Sequence, residues 1–229
     1  MFNLFEFMDF TIILITFGII FLGELGDKTQ LIVFNLALEY KKFYKVGIGV
    51  TVGFAAIVTI GVLFGTIITT IIPVSIISFV SGIVFIIIGI IEALSLKKLY
   101  IEHKNRHDRQ DENLTDEDSE LSEDIGEKEK SKIQRILKKF KNNPYLAGFI
   151  FIFIMELGDK TQILTITLAS LYNAPLEVWI GSFLALISVA WIGILIGAIV
   201  ARKVPKFYLK LISSSVFIIV GVIILFTSF

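Results

Sequence analysis

Apolar positions along the chain fall into long runs, not alternating or sparsely periodic stretches. From Val46 to Ile91 there is no charged residue in 46 positions, and Pro73 stands in the middle of that run. A single membrane span needs about 20 residues, so the run reads as two helices that meet at the proline. Further apolar stretches cover Phe10 to Leu38, Pro144 to Ser170, Val178 to Ala201 and Leu211 to Phe229. The pattern predicts an all-α integral membrane protein with six transmembrane helices. Two of the six spans carry charges: Glu24, Asp27 and Lys28 in the first, Glu156, Asp159 and Lys160 in the fourth.

The chain also repeats itself at an offset of 132 positions. Glu24-Leu25-Gly26-Asp27-Lys28-Thr29-Gln30 returns as Glu156-Leu157-Gly158-Asp159-Lys160-Thr161-Gln162, and Gly49, Gly61, Gly65, Pro73, Ser81 and Gly89 return as Gly181, Gly193, Gly197, Pro205, Ser213 and Gly221. Each copy holds three spans. An odd number forces the second copy to enter the bilayer from the opposite side, which predicts two inverted three-helix repeats, an architecture used by secondary transporters. The expected division is residues 1–97, a charged linker over residues 98–141, and residues 142–229. Residues from Ile101 to Gly126 are polar, with Asp111, Glu112, Asp116, Glu117, Asp118, Glu120, Glu123 and Asp124 clustered, a composition that predicts disorder. Ile133, Ile136, Leu137 and Phe140 then recur at helical spacing among lysines and Arg135, as in a helix lying on an anionic leaflet or a plain solvated tether.

Composition sharpens this. Hydrophobic residues make up 55% of the chain and charged ones 18%, against about 45 to 50% and about a quarter in soluble domains. No cysteine is present, which excludes disulfides, a thiolate nucleophile, iron–sulfur clusters and thiolate zinc sites. The 21 basic residues balance 21 acidic ones, so nucleic acid is not an expected partner. Their placement is informative: Lys41, Lys42 and Lys45, twelve residues between Lys97 and Lys141, and Arg202, Lys203, Lys206 and Lys210 all fall on one side of a six-span chain. Basic residues favour the cytoplasmic side, which puts both termini outside and the linker inside. The acidic amino terminus lacks the basic start of a cleaved signal, and the expected location is a prokaryotic cell membrane.

The first span, 29 residues, would be about 43 Å long as a helix, against a hydrocarbon core of about 30 Å, so it must tilt, kink or break. Its midpoint is Glu24 and that of the fourth span is Leu157, which sets both motifs near the midplane, where a carboxylate is costly. The spacing of Glu24 to Asp27 and of Glu156 to Asp159 puts each pair on one helix face, while Gly26 and Gly158 allow close approach or unwinding. Thr29, Gln30, Thr161 and Gln162 add neutral oxygens. Brought together, the motifs hold four carboxylates and the charge-compensating Lys28 and Lys160, a formal charge of minus two when all are ionised. One divalent cation or two protons would neutralise it, and competition between those occupancies is the physical basis of exchange. The spans contain no histidine or cysteine, so the ligands are oxygens, suited to Mg²⁺, Ca²⁺ or Mn²⁺.

Other positions read more plainly. Lys28 and Lys160 stand four residues after their own glutamates, the order of a helical Glu–Lys pair, which either only neutralises that glutamate or competes with the cation. Met155 has no sulfur-bearing counterpart in the first copy and reads as packing. The glycine pairs read as close helix contacts, with a homodimer also open to them, and Thr59 and Ser188 as hydroxyls bonded to their own helix. Glu92, near the cytoplasmic end of the third span, reads as interfacial. His103 and His107 have ligand spacing, but two ligands make a poor site.

The doubled Glu-x-Gly-Asp-Lys-Thr motif, in a six-span inverted repeat, resembles the membrane family filed as uncharacterised protein family sixteen, which includes Golgi manganese and calcium transporters of eukaryotes and bacterial manganese exporters. Glu24 to Thr29 and Glu156 to Thr161 both match its pattern, and the resemblance covers nearly the whole chain outside the linker. It implies a non-enzymatic exchanger of Mn²⁺ or Ca²⁺ for protons, exporting the cation from the cytoplasm, with Glu24, Asp27, Glu156 and Asp159 as ligands and proton acceptors. No permanently bound cofactor is implied. Competing readings are a lysine-type amino-acid exporter, a divalent cation channel and an intramembrane aspartyl protease, the last weakened because Glu24 and Glu156 replace the first glycine of the protease Gly-x-Gly-Asp pattern.

Overall fold

The computed structural model of the chain describes residues 8–25, 27, 29, 33–34, 36–37, 40, 42–107, 140, 143–203 and 206–228. Among them are seven helices: α1 (Phe10–Glu24), α2 (Phe43–Ile71), α3 (Val74–His107), α4 (Pro144–Glu156), α5 (Lys160–Tyr172), α6 (Pro175–Lys203) and α7 (Lys206–Thr227). No strand occurs among the described residues. Four helices contain stretches long and apolar enough to cross a membrane, over Phe43–Ile71, Val74–Leu94, Pro175–Leu195 and Lys210–Thr227, and α1 and α4 are shorter apolar helices. Together they make a multi-pass membrane protein.

Local chemistry sets the helix ends. Asp9 caps α1 by accepting the Thr11 amide, and Asn143 caps α4 by accepting that of Leu146, with Pro144 in the first turn. Pro73 divides the long apolar run into two helices as expected: Ile72 is extended, and the Pro73 carbonyl accepts the amides of Ile76 and Ile77 to start α3. α3 then runs on to His107, so the first residues of the segment expected to be disordered are helical. The stretch left without a span assignment before Leu211 is helical from Lys206 onward. The acidic cluster, the amphipathic stretch before Phe140, Pro205, Gly26, Lys28 and Gln30 lie outside the described residues, as do the side chains of His103 and His107.

Packing explains why so many glycines recur. α3 lies along α7, α2 packs on α4, α5 and α6, and α1 packs on α6. Since lipid tails are as apolar as leucine, helices associate in a bilayer through close van der Waals fit, for which small residues are suited. A Cβ on Gly49 would stand 2.0 Å from the Tyr145 carbonyl oxygen, and one on Gly181 would stand 2.7 Å from that of Ile13. These are counterparts at the 132-residue offset on both sides of each contact. The same exchange relates Gly89, against Ile218 and the Ser214 carbonyl, to Gly221, against Ile86 and the Gly82 carbonyl. Gly53, Gly61 and Gly65 are likewise pressed against α4 and α5, as packing positions. Thr59 and Ser188 donate to the carbonyls of Ala55 and Leu184 on their own helices, as read from the sequence.

The core is apolar and closely filled: Phe85, Phe151, Phe217, Ile20 and Leu164 have no exposed surface. Outward-facing positions are apolar too, among them Leu14, Ile71, Leu94, Leu195 and Phe226. An apolar exterior around an apolar core is the arrangement a hydrocarbon solvent allows.

Candidate cation site

Both charged motifs sit where a helix ends. α1 stops at Glu24 and α4 at Glu156; Leu25 and Leu157 follow in extended conformations, with φ and ψ of −60° and 119° in one and −68° and 109° in the other. In each, the aspartate amide donates back to the glutamate carbonyl, Asp27 to Glu24 at 3.1 Å and Asp159 to Glu156 at 3.2 Å. The seven-residue identity thus produces one local turn twice. The expectation that each Glu and Asp share a helix face is corrected: the helix breaks between them. In the second motif the break is completed by Gly158 at φ +85°, a left-handed conformation that a Cβ would strain. Asp159 then caps α5 by accepting the Lys160 amide at 2.7 Å, and the Gln162 side chain accepts the Gly158 amide.

This break answers the length problem noted above. It also leaves the last carbonyls of α1 and α4 without helical partners at the ends where the helix dipoles are negative. Carboxylates and free carbonyls at one place favour a cation, and the structure supplies one from within. The ammonium of Lys160 lies 2.8 Å from the Gly23 carbonyl oxygen, 2.9 Å from Glu92 Oε1, 3.1 Å from Asp27 Oδ2 and 3.8 Å from Glu24 Oε1. Thr161 donates its hydroxyl to Glu24. Both groups come from the second motif and serve the first, which corrects the reading of Lys160 as the partner of its own Glu156 four residues before it.

Glu156 is wholly buried, and neither of its carboxylate oxygens has a hydrogen-bond partner among the described residues; the buried Thr29 is its neighbouring hydroxyl. Glu24 and Glu156 act electrostatically on one another, and each also feels Asp27 and Asp159. Of the expected site residues, then, Glu24, Asp27, Glu156, Asp159, Lys160, Thr161 and Thr29 are brought into one region. Gln162, buried, serves the turn at Gly158, with its Oε1 taken by that amide. Among the described residues no three acidic or histidine side chains converge closely enough to hold a metal ion as they stand. Among the described residues, the positive charge at the carboxylates of Glu24 and Asp27 is that of Lys160.

Glu92 was read as interfacial and is instead part of this cluster, its side chain 12% exposed and paired with Lys160. A signal for it existed in the sequence. The position 132 residues on is Ile224, so Glu92 is a charge in an apolar span that its counterpart lacks.

The profile of the family described as "Divalent cation/proton antiporter GDT1" matches residues 12–98 and 144–229, one segment in each half of the chain. A GDT1-like protein of Synechocystis is 31% identical over 210 residues, covering 90% of this chain and 92% of its own length. A GDT1-like protein of Schizosaccharomyces pombe is 24% identical over 227 residues, covering 90% and 86%. A Vibrio cholerae protein named "Putative manganese exporter" is 33% identical over 79 residues, 34% of this chain and 40% of that protein. No solved structure matches the chain.

Proposed function

The chain belongs to the divalent cation/proton antiporter family, and we propose that it exchanges Mn²⁺ for protons, moving the metal out of the cytoplasm by alternating access. Glu24, Asp27, Glu156 and Asp159 bind the cation and, in its absence, protons. Thr29, Thr161 and Gln30 contribute neutral oxygens, Gln162 holds the turn at Gly158 beside them, and Lys28 and Lys160 hold the carboxylates together between cargoes. The observation that carries this reading is Lys160 seated across the motifs, 3.1 Å from Asp27 and within 3.8 Å of Glu24. A place that already accommodates an ammonium among carboxylates and a helix-end carbonyl is chemically prepared for a competing cation. Oxygen donors suit Mn²⁺ and also Ca²⁺; the preference for Mn²⁺ follows the name of the Vibrio relative.

Alternating access needs two related halves. The exchange of close contacts at the 132-residue offset, Gly49 on Tyr145 against Gly181 on Ile13, supports two inverted three-helix repeats making six spans, each motif breaking the first span of its repeat. The distribution of lysine and arginine supports a cell-membrane orientation with both termini outside. Cation binding from the cytoplasm releases protons, the halves rock, and outside protons displace the cation.

Radioactive Mn²⁺ uptake into inside-out membrane vesicles tests the coupling. Acidifying the vesicle lumen should drive uptake, and a protonophore should abolish the drive. Uptake that ignores the proton gradient would overturn it.

A further inference from the structure

Glu92 belongs to α3, which carries neither motif, yet its carboxylate approaches Lys160 more closely than Asp27 or Glu24 does, at 2.9 Å against 3.1 and 3.8 Å. Lys160 therefore sits between two anionic groups of different kinds. Glu24 and Asp27 come from the motif assigned to the cargo, and Glu92 is a carboxylate outside both motifs. A divalent cation beside Glu24 and Asp27 would repel the ammonium. Without another anion, that ammonium would be left buried and unpaired, an arrangement far more costly than the pair it replaces. The repeat offers no equivalent elsewhere, since position 224 is a buried isoleucine.

We propose that Glu92 is a positioning residue for Lys160: it retains the ammonium when the divalent cation takes over Glu24 and Asp27, and so makes cation entry possible at a site the protein's own lysine otherwise fills. This rests on the reading of Glu24 and Asp27 as cation ligands. The two motifs, identical in sequence, are thereby made unequal, since the position on α7 that matches Glu92 of α3 is Ile224.

The test is a double-mutant cycle on the purified full-length protein, with Mn²⁺ binding measured by calorimetry. Glu92→Gln should weaken binding about tenfold or more, in the range of second-sphere effects on metal sites. In a Lys160→Met background the same change should cost less than about twofold, because the residue through which Glu92 acts is gone. In liposomes, Glu92→Gln should raise the KM for Mn²⁺ while leaving the maximal rate within about threefold, as expected for a binding effect. If Lys160→Met does not fold, Lys160→Gln closes the same cycle. Equal losses in both backgrounds, or no loss in either, would overturn the proposal. Asp27→Asn serves as the reference: if it binds Mn²⁺ like the wild type, the ligand reading fails and this inference with it. If Asp27→Asn loses binding while Glu92→Gln does not, only the role of Glu92 fails.

Discussion

Two copies of one seven-residue motif end in different surroundings. Glu24 receives the Thr161 hydroxyl and lies within 3.8 Å of the Lys160 ammonium, whereas Glu156 is fully buried with neither oxygen hydrogen-bonded among the described residues. Their backbones are alike, down to the extended leucine and the aspartate amide that turns back on the glutamate. The difference thus comes from what packs against each: Thr161 and Lys160 at Glu24, with Glu92 on α3 also holding that lysine. Identical local sequence fixes the turn; the electrostatic environment is a tertiary property.

The sharpest way to break this comparison is to ask whether the halves are inverted at all. The chain has no cysteine, so single cysteines report without background. Lys42 and Ala174, which precede α2 and α6, are counterparts at the 132-residue offset. In intact cells Ala174→Cys should react with a membrane-impermeant maleimide and Lys42→Cys should not, while opened membranes should label both. Labelling of both in intact cells would remove the inverted repeat.

Next in size is the effect of the two glutamates. Glu24→Gln and Glu156→Gln should each reduce proton-coupled Mn²⁺ transport by about 100-fold or more, because each removes a proposed ligand, a loss at least as large as that of an outer-sphere partner of a metal. Their stabilities should diverge. Glu24→Gln removes an anion near Lys160 and should lower stability by about 1–3 kcal/mol, and Glu156→Gln, which replaces a buried carboxylate that has no cation beside it among the described residues, should leave it unchanged or raised. Thermal unfolding in detergent, followed by fluorescence, would show it. Equal destabilisation would mean that the two half-sites are not as different as described.

Glycine substitutions extend the comparison to the scaffold at smaller cost. Gly49→Ala and Gly181→Ala should both destabilise, by about 1–3 kcal/mol as in overpacked cores, with Gly49→Ala the more severe because its methyl would stand 2.0 Å from a carbonyl oxygen and that of Gly181→Ala 2.7 Å. Gly18→Ala is the control within α1: a Cβ there meets nothing within 4 Å, and helix propensity should give a gain of up to about 1 kcal/mol.

Much of this is legible in the amino-acid sequence. The Pro73 turn, the two motifs and their convergence follow from long apolar runs, a proline and a repeat. Glycine contacts such as Gly49 on Tyr145 follow from the recurrence of small residues. The excess length of the first span and the motif glycines pointed to a break; what misled was pairing side chains across the motif as in a continuous helix. Glu at position i and Lys at i+4 pair only if the backbone between them is helical, and here Leu157, Gly158 and Asp159 interrupt it, which turns Lys160 toward Glu24 and Asp27. Glu92 was misplaced for a related reason: depth along a span says how near the interface a carboxylate lies and nothing of which helix faces it. A mismatch between Glu92 and Ile224 in an otherwise matched repeat was the available clue.

The central claim is that the joined motifs exchange a divalent cation for protons. Its most direct test is purified protein in liposomes with a pH-sensitive dye trapped inside, to which Mn²⁺ is added outside. Interior alkalinisation that depends on Mn²⁺ and is lost in the Asp27→Asn, Asp159→Asn double variant is the expected result. Mn²⁺ entry with no change in interior pH, or an unchanged response in the double variant, would contradict it.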